Sequence, residues 1–191
     1  MQGWWAASYV ALWLLVAVLC ATVVALARQI GTLHLRLGPR GALELDDEGP
    51  ALGDALEPLE ASDTLGRPLT IAAPGEQQML LFVSPACPVC EQVLPSMAAI
   101  RAGTDLMPYV LVDADAESSR QVDAGRMATP VVPAAELAAR LAVPGTPYVL
   151  VLDGDGVVRA KGTVNNLEQM EGLTRTARRR LENTRREAAA A

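Results

Sequence analysis

The sequence predicts an α/β domain, in which helices flank a mixed central sheet, behind one N-terminal transmembrane helix. Two observations lead to this prediction. Residues 4–27 form an apolar stretch without a charged side chain. From residue 53 onwards, short apolar runs alternate with segments of helical periodicity, a pattern typical of strands connected by helices. The predicted order is β-α-β-α-β-β-α, and the sheet is mixed because the closing hairpin pairs antiparallel.

The apolar stretch at residues 4–27 is long enough to be a membrane anchor. As a helix it would extend about 36 Å, against a hydrocarbon thickness of about 30 Å. Trp4, Trp5 and Tyr9 cluster at one end, as in an interfacial aromatic belt. A cleaved signal peptide is the alternative, since residues 25–27 read Ala-Leu-Ala. No Lys or Arg precedes the stretch, however, so we expect an uncleaved anchor.

Residues 28–52 are predicted to be a juxtamembrane linker, which is basic at first and acidic towards its end. Arg28, Arg36 and Arg40 supply positive charge only after the anchor. By the positive-inside rule, this distribution would place the following domain in the cytoplasm. The acids at 44–48 carry little weight in that rule.

The predicted domain, residues 53–186, begins with a short strand pair around residues 64–69. A buried strand is expected at Met79–Val83, which is a run of five apolar residues. A helix is predicted from Cys87 to about residue 102. Pro95 lies inside this helix and predicts a kink, because proline has no N–H to donate to the preceding turn.

The remaining elements continue the alternation. In order, they are strands at 109–112 and 130–132, a short helix at 134–141, a hairpin of 148–152 and 157–162, and a final helix from Asn166. The sequence Asp-Gly-Asp-Gly at 153–156 predicts the hairpin turn. Gln169 lies three residues after Asn166 and predicts a capping box at the start of the final helix.

Cys87 and Cys90 form a Cys-x-x-Cys motif directly after the buried strand. At the N-terminus of a helix, unpaired N–H groups and the helix dipole favour the thiolate of the first cysteine. The second cysteine, one turn further on, can close a disulfide or release a mixed disulfide. Pro88 suits the first helical position, where its missing N–H has no partner to lose. The motif therefore favours thiol–disulfide exchange.

Counting ligands excludes most other uses of this spacing. A structural zinc site needs four ligands, whereas the chain has three cysteines and one histidine. Covalent haem attachment needs a histidine after the second cysteine, and that residue is Glu91. An inert disulfide stays open, although so short a loop stabilises little. We expect neither a metal nor nucleic-acid binding, since the net charge is −6.

The order of elements, the motif, Pro95 and the pair Thr146-Pro147 match the positions that these features occupy in thioredoxins. More specifically, the chain resembles the MauD family of methylamine utilisation proteins, which belong to the membrane-tethered, TlpA-like branch. The resemblance extends from the anchor to the last helix. It is carried by Gly-Thr-Leu-His at 31–34, Gly-Pro-Arg-Gly-Ala-Leu at 38–43, Phe-Val-Ser-Pro-Ala-Cys-Pro-Val-Cys at 82–90 and Val-Arg-Ala-Lys-Gly-Thr-Val-Asn at 158–165.

The resemblance implies a disulfide oxidoreductase that assists disulfide formation or isomerisation in the small (beta) subunit of methylamine dehydrogenase. That client is exported and rich in cysteine, which implies a single-pass inner-membrane protein with its domain in the periplasm. This orientation opposes the positive-charge count. No cofactor is expected besides the redox-active disulfide. We also expect a membrane-embedded electron donor or acceptor, which the sequence does not identify.

Roles can now be given to individual residues. By their positions in the motif, Cys87 is the attacking thiol and Cys90 the resolving one, with Pro88 and Val89 in support. Pro147 is expected to be cis against the dithiol, which leaves the backbone of Thr146 free to pair with an extended client. An ordinary trans proline in a turn is the alternative for Pro147. Leu81 stands where thioredoxins commonly carry a buried aspartate. Two alternatives stay open, namely a thiol exchanger for another exported client, as in cytochrome c assembly, and a chaperone that binds without turnover.

Overall fold

The computed structural model describes residues 2–36, 49–122 and 129–190 of the 191-residue chain. Its first compact unit contains helix α1, Gln2–Arg36. Gly3–Val23 within α1 is long and apolar enough to cross a membrane. The helix continues past residue 27, so the first part of the predicted linker is helical. The reason is composition, since residues 28–36 contain no proline and a single glycine. Residues 37–48 of that linker lie outside the described residues, and the predicted boundaries at 27 and 53 stay predictions.

The second unit contains the α/β domain. Its elements are β1 (Leu59–Ser62), β2 (Pro68–Ile71), β3 (Gln78–Val83), α2 (Pro88–Val93), α3 (Ser96–Gly103), β4 (Met107–Val112), α4 (Ala116–Ser119), β5 (Val131–Pro133), α5 (Ala135–Arg140), β6 (Tyr148–Leu152), β7 (Val158–Thr163) and α6 (Leu167–Ala190).

Five strands form the central sheet in the order β5-β4-β3-β6-β7. β3, β4 and β5 are parallel, whereas β6 is antiparallel to both β3 and β7. The prediction of a mixed sheet is therefore confirmed. Val83, Val112 and Pro133 end the three parallel strands at the same edge of the sheet, which we call the carboxyl edge. β6 begins and β7 ends at this edge, because Tyr148 pairs with Thr163.

β3 lies at the centre of the sheet, and all six of its residues are buried. Its side chains alternate between two cores, because successive residues of a strand point to opposite faces. Leu81 and Val83 pack on the face covered by α2, α3 and α6, together with Cys90. Leu80 and Phe82 pack on the other face, which the β1–β2 pair and α5 cover. This double burial fixes the position at which the chain leaves β3.

Two predicted elements differ in detail from the structure. The single kinked helix of the prediction is divided into α2 and α3 at Pro95, which cannot donate an N–H to continue the first helix. The N-terminal strand pair exists, but residues 63–67 form the turn between β1 and β2 and not the strands themselves. The buried Asp63 holds that turn, since its Oδ1 accepts hydrogen bonds from the N–H groups of Leu65 and Arg67 at 2.9 and 2.8 Å.

The final helix follows the prediction closely. It begins at Leu167, and the side chain of Asn166 accepts a hydrogen bond from the N–H of Gln169 at 3.0 Å. The Gln169 side chain in turn accepts from the N–H of Asn165 at 2.6 Å, one residue earlier than in a standard capping box. These bonds fix the start of α6 beside the carboxyl edge, three residues after the chain leaves the core at Val164.

A segment that precedes β1 covers the outer edge of β7. The N–H of Gly53 donates a hydrogen bond to the backbone carbonyl of Val158 at 2.9 Å, and the N–H of Val158 donates one to the backbone carbonyl of Asp54 at 2.9 Å. The segment runs antiparallel to β7, so its first residue, Gly49, lies near the carboxyl edge. Gly49 has a φ of +70°, and a Cβ there would come within 2.7 Å of the hydroxyl of Tyr148. Only glycine fits this position without strain.

Candidate functional site

Cys87 and Cys90 form a disulfide in the structure, with their Cα atoms 5.2 Å apart. Cys87 is the N-cap of α2, in an extended conformation with φ −99° and ψ 105°, and Pro88 occupies the first turn. The N–H of Cys90 points at Sγ of Cys87 at 3.2 Å. In the reduced protein this N–H would stabilise a thiolate on Cys87, because charge-assisted hydrogen bonds are strong.

The two cysteines differ in their exposure to solvent. Cys90 is only 2% exposed and belongs to the core on the α6 face. Cys87 is half-buried and packs against the edge of that core. Pro88 and Val89, between them, are both exposed. An incoming thiolate therefore reaches Cys87 before Cys90, which fits the predicted attacking and resolving roles.

Thr146 and Pro147 lie against this disulfide. The peptide bond between them is cis, and the carbonyl oxygen of Thr146 is 3.6 Å from Sγ of Cys87. The N–H of Val164 donates to the carbonyl of Pro147 at 3.2 Å and holds the loop to the end of β7. Pro147 itself is buried, whereas Thr146 is half-buried. Of the two residues, Thr146 is thus the more accessible to a client.

The surroundings of Cys90 are apolar. Leu81, Val83, Val93 and Met97 share its core cluster, and the position at which thioredoxins carry an aspartate is the fully buried Leu81. Glu91 follows Cys90 directly but is exposed. Leu81 has no group that can accept a proton, so this position cannot take the part in proton transfer that the aspartate has in thioredoxins.

Sequence reasoning missed the backbone contacts that assemble the site. The carbonyl of Val83 accepts from the N–H of Asp113 at 2.8 Å, which ties the chain before the motif to the end of β4. The hydrogen bond from the N–H of Val164 to the carbonyl of Pro147 likewise ties the loop that contains Thr146 to the end of β7. Neither contact involves a side chain, so the only sequence signal would be the ends of the predicted strands.

The arrangement has the geometry of a thiol–disulfide oxidoreductase. A substrate thiolate attacks Sγ of Cys87 and breaks its bond to Cys90, which leaves as the thiolate and takes a proton. In the reverse direction, Cys90 attacks the mixed disulfide and releases the substrate thiol. Because one sulfur is accessible and the other is sheltered, each step has a defined partner.

Comparison with known proteins supports this chemistry. A family model described as a thioredoxin-like domain matches residues 69–178, more than half of the chain. A solved structure, a putative protein disulfide isomerase from Bacteroides thetaiotaomicron, superposes with a TM-score of 0.57 at 18% identity. That match covers 74% of this chain and 93% of the other, and it shows the thioredoxin fold.

Two curated relatives extend the similarity to nearly the whole chain. The methylamine utilization protein MauD of Paracoccus denitrificans is 35% identical over 180 residues, which cover 91% of this chain and 88% of the relative. MauD of Methylobacillus flagellatus is 33% identical over 177 residues, covering 90% and 86%. The matched regions include the dithiol motif and reach into the apolar N-terminal helix, since only a tenth of this chain is left outside them. The chain therefore belongs to the MauD family of thioredoxin-like proteins.

Proposed function

We propose that the chain is a membrane-anchored thiol–disulfide oxidoreductase that assists disulfide formation or isomerisation in the small subunit of methylamine dehydrogenase. The observation that carries this proposal is the half-buried Cys87 at the N-terminus of α2, in a chain of the MauD family. The relatives are named for methylamine utilization, which points to the client. The apolar span Gly3–Val23 supports anchoring in the membrane.

In disulfide formation, a client thiolate attacks Cys87 and a mixed disulfide replaces the Cys87–Cys90 bond. A second client thiolate then attacks the client sulfur and releases Cys87. The client loses two electrons and two protons, and Cys87 and Cys90 gain them. In isomerisation, the thiolate of Cys87 attacks a client disulfide and liberates one client thiolate. A different client thiolate then attacks the client sulfur bound to Cys87, so that a new client disulfide forms and Cys87 is released with no net oxidation.

The proposed location of the domain is the periplasm. Disulfide-rich proteins mature in oxidising compartments, so a catalyst of their bridges must face the same side. A phosphatase reporter fused after Ala191 should be active in intact cells. A silent phosphatase, with an active cytoplasmic reporter at the same site, would support the positive-charge count and contradict this orientation.

The client is tested in a strain that carries Cys87→Ser and Cys90→Ser. We expect little stable small subunit of the amine dehydrogenase, because reduced or mispaired chains are degraded, and no growth on methylamine. Growth on other carbon sources is the internal control, and Cys20→Ser is the matched control because Cys20 lies in the apolar helix. Normal amounts of correctly bridged small subunit in the double variant would contradict the proposal and leave a chaperone or a different client.

A further inference from the structure

We infer that the protein partner of this dithiol presents lysine or arginine residues beside its reactive cysteine. This inference rests on the proposed function and specifies the partner that the site takes. It is drawn from the charges at the carboxyl edge, where the described residues include five exposed acids. These acids, which we call the acidic rim, are Glu91, Asp113, Asp115, Glu117 and Glu168.

The fold places these acids at the same edge of the sheet as the disulfide. Glu91 follows Cys90 on α2. Asp113 is bonded through its N–H to Val83, where β3 ends before the motif. Asp115 and Glu117 belong to the turn and short helix α4 that follow β4 at the same edge.

The fifth acid comes from the opposite side of the site. Glu168 is in the first turn of α6, four residues after Val164, which is bonded to Pro147 at 3.2 Å. The acids therefore come from separate elements that meet at the carboxyl edge, namely α2, the end of β4 with α4, and the start of α6.

Basic residues do not offset this charge within the described part of the carboxyl edge. Arg120 is neutralised by Glu117, with the two side chains 2.7 Å apart. Lys161 on β7 is completely buried, and it pairs with Leu150, whose side chain packs on the face of the sheet opposite to Cys90. Four acids of the rim are left without a basic partner in this region.

The arginines of α6 lie at the other end of the domain. The helix starts at the carboxyl edge and runs away from it, and its arginines are concentrated between residues 175 and 186. Arg159 lies at the beginning of β7, and its guanidinium donates a hydrogen bond to the hydroxyl of Thr184 at 3.2 Å. The backbone carbonyl of Arg159 accepts a hydrogen bond from the guanidinium of Arg180 at 3.0 Å. These contacts hold the basic part of α6 at the edge remote from the disulfide, so its arginines do not offset the charge of the acidic rim.

The sign of the charge on the acidic rim selects the partner. In water, one charge at about 10 Å changes the local concentration of a univalent ion about twofold before salt screening. Several acids at this edge therefore favour a cationic segment over an anionic one by a larger factor, and they raise its rate of association. Val89, which is 37% exposed, adds an apolar contact that does not depend on charge.

The test uses the full chain with Cys20→Ser in neutral detergent and three small thiols as probes. Cysteamine carries an ammonium group, 2-mercaptoethanol carries no charged group besides its thiol, and 3-mercaptopropionate carries a carboxylate. The attacking thiolates therefore differ in net charge, which becomes more negative in this order. At about 10 mM ionic strength, and at equal thiolate concentration, we expect cysteamine to reduce the Cys87–Cys90 disulfide roughly tenfold faster than 3-mercaptopropionate. In 0.5 M NaCl the two rate constants should approach each other, with 2-mercaptoethanol between them at low salt.

Variants assign the effect to the rim. Glu91→Lys and Asp113→Lys should each lower the ratio of the two rate constants by about twofold or more, whereas the matched control Glu182→Lys, at the remote end of α6, should leave it unchanged. Equal rates for the three thiols at low salt would overturn the inference while leaving the exchange activity intact. If none of the thiols reduced the disulfide, the proposed function itself would fail, and the inference with it.

Discussion

The carbonyl oxygen of Thr146 lies 3.6 Å from Sγ of Cys87, although 59 residues separate them in the sequence. The contact exists because β3 and β6 are antiparallel neighbours, so the end of one strand meets the beginning of the other. The reactive sulfur therefore lies beside a backbone carbonyl and the half-buried Thr146. A client chain bound at Thr146 would have its own sulfur held next to Cys87.

The first prediction concerns the reactivity of the two thiols. In the reduced protein, Cys87 should react with iodoacetamide at pH 7 at least about tenfold faster than Cys90, because Cys90 is buried and Cys87 is stabilised as the thiolate. Peptide mapping after short alkylation measures both rates. Cys90→Ser should accumulate a mixed disulfide through Cys87. Faster labelling of Cys90 would reverse the assigned roles.

The second prediction concerns Gly49. Gly49→Ala should destabilise the domain by about 1–2 kcal/mol, because the new Cβ meets the hydroxyl of the buried Tyr148 and the backbone has positive φ. Gly53→Ala is the matched control, since Gly53 also has positive φ but its Cβ would enter open space. Its cost should be smaller, at about 1 kcal/mol. Denaturant unfolding of the full chain in detergent measures both changes, and equal losses would show that the Tyr148 contact contributes nothing.

The third prediction concerns the turn at Asp63. Asp63→Ala should cost about 2 kcal/mol, because two backbone N–H groups lose the carboxylate that accepts their hydrogen bonds. Asp63→Asn should cost less, since its amide oxygen can still accept both bonds. Denaturant midpoints of the three proteins at pH 7 measure the difference. An Ala variant as stable as the wild type would show that the turn does not need this side chain.

Asp63 also makes stability depend on pH. Burial raises the pKa of its carboxyl, but hydrogen bonds from Arg67 and Leu65 and the Arg67 guanidinium outweigh burial and lower the pKa below its ordinary 3.8. The stabilisation by the ionised Asp63 carboxylate is therefore present above pH 3.8. It is lost as the pH falls through the lower pKa that this carboxyl has in the folded protein. As the pH falls below 3.8, the wild type should lose more stability than Asp63→Asn. Parallel pH profiles would contradict this.

The fourth prediction concerns Tyr109 at alkaline pH. The hydroxyl of Tyr109 donates a hydrogen bond to the carboxylate of Glu76 at 3.2 Å. Burial and the negative charge of Glu76 together raise the pKa of Tyr109 from 10.0 to about 12. The unfolded chain therefore loses this proton at lower pH than the folded one. Stability should be unaffected below pH 10 and should fall between pH 10 and 12 by about 1 kcal/mol per pH unit. Tyr109→Phe should remove that part of the fall. A variant that retained the full alkaline slope would assign it to other groups.

By itself, the sequence determined the elements whose signal is local. β3 is a continuous apolar run, the hairpin of β6 and β7 has its turn residues, and the motif at Cys87 begins a helix with proline at its first position. Each of these is decided by side chains within a few residues of one another. The thioredoxin fold followed because few topologies connect these elements in this order.

Only the tertiary structure decided which distant groups meet. The segment from Gly49 along β7 depends on backbone hydrogen bonds and close packing with residues far away in the sequence. The same holds for the contact of Thr146 with Cys87 and for the acidic rim, whose members come from three separate elements. Local propensity carries no information about such contacts, because backbone groups are alike at every residue and are paired only when the whole sheet forms.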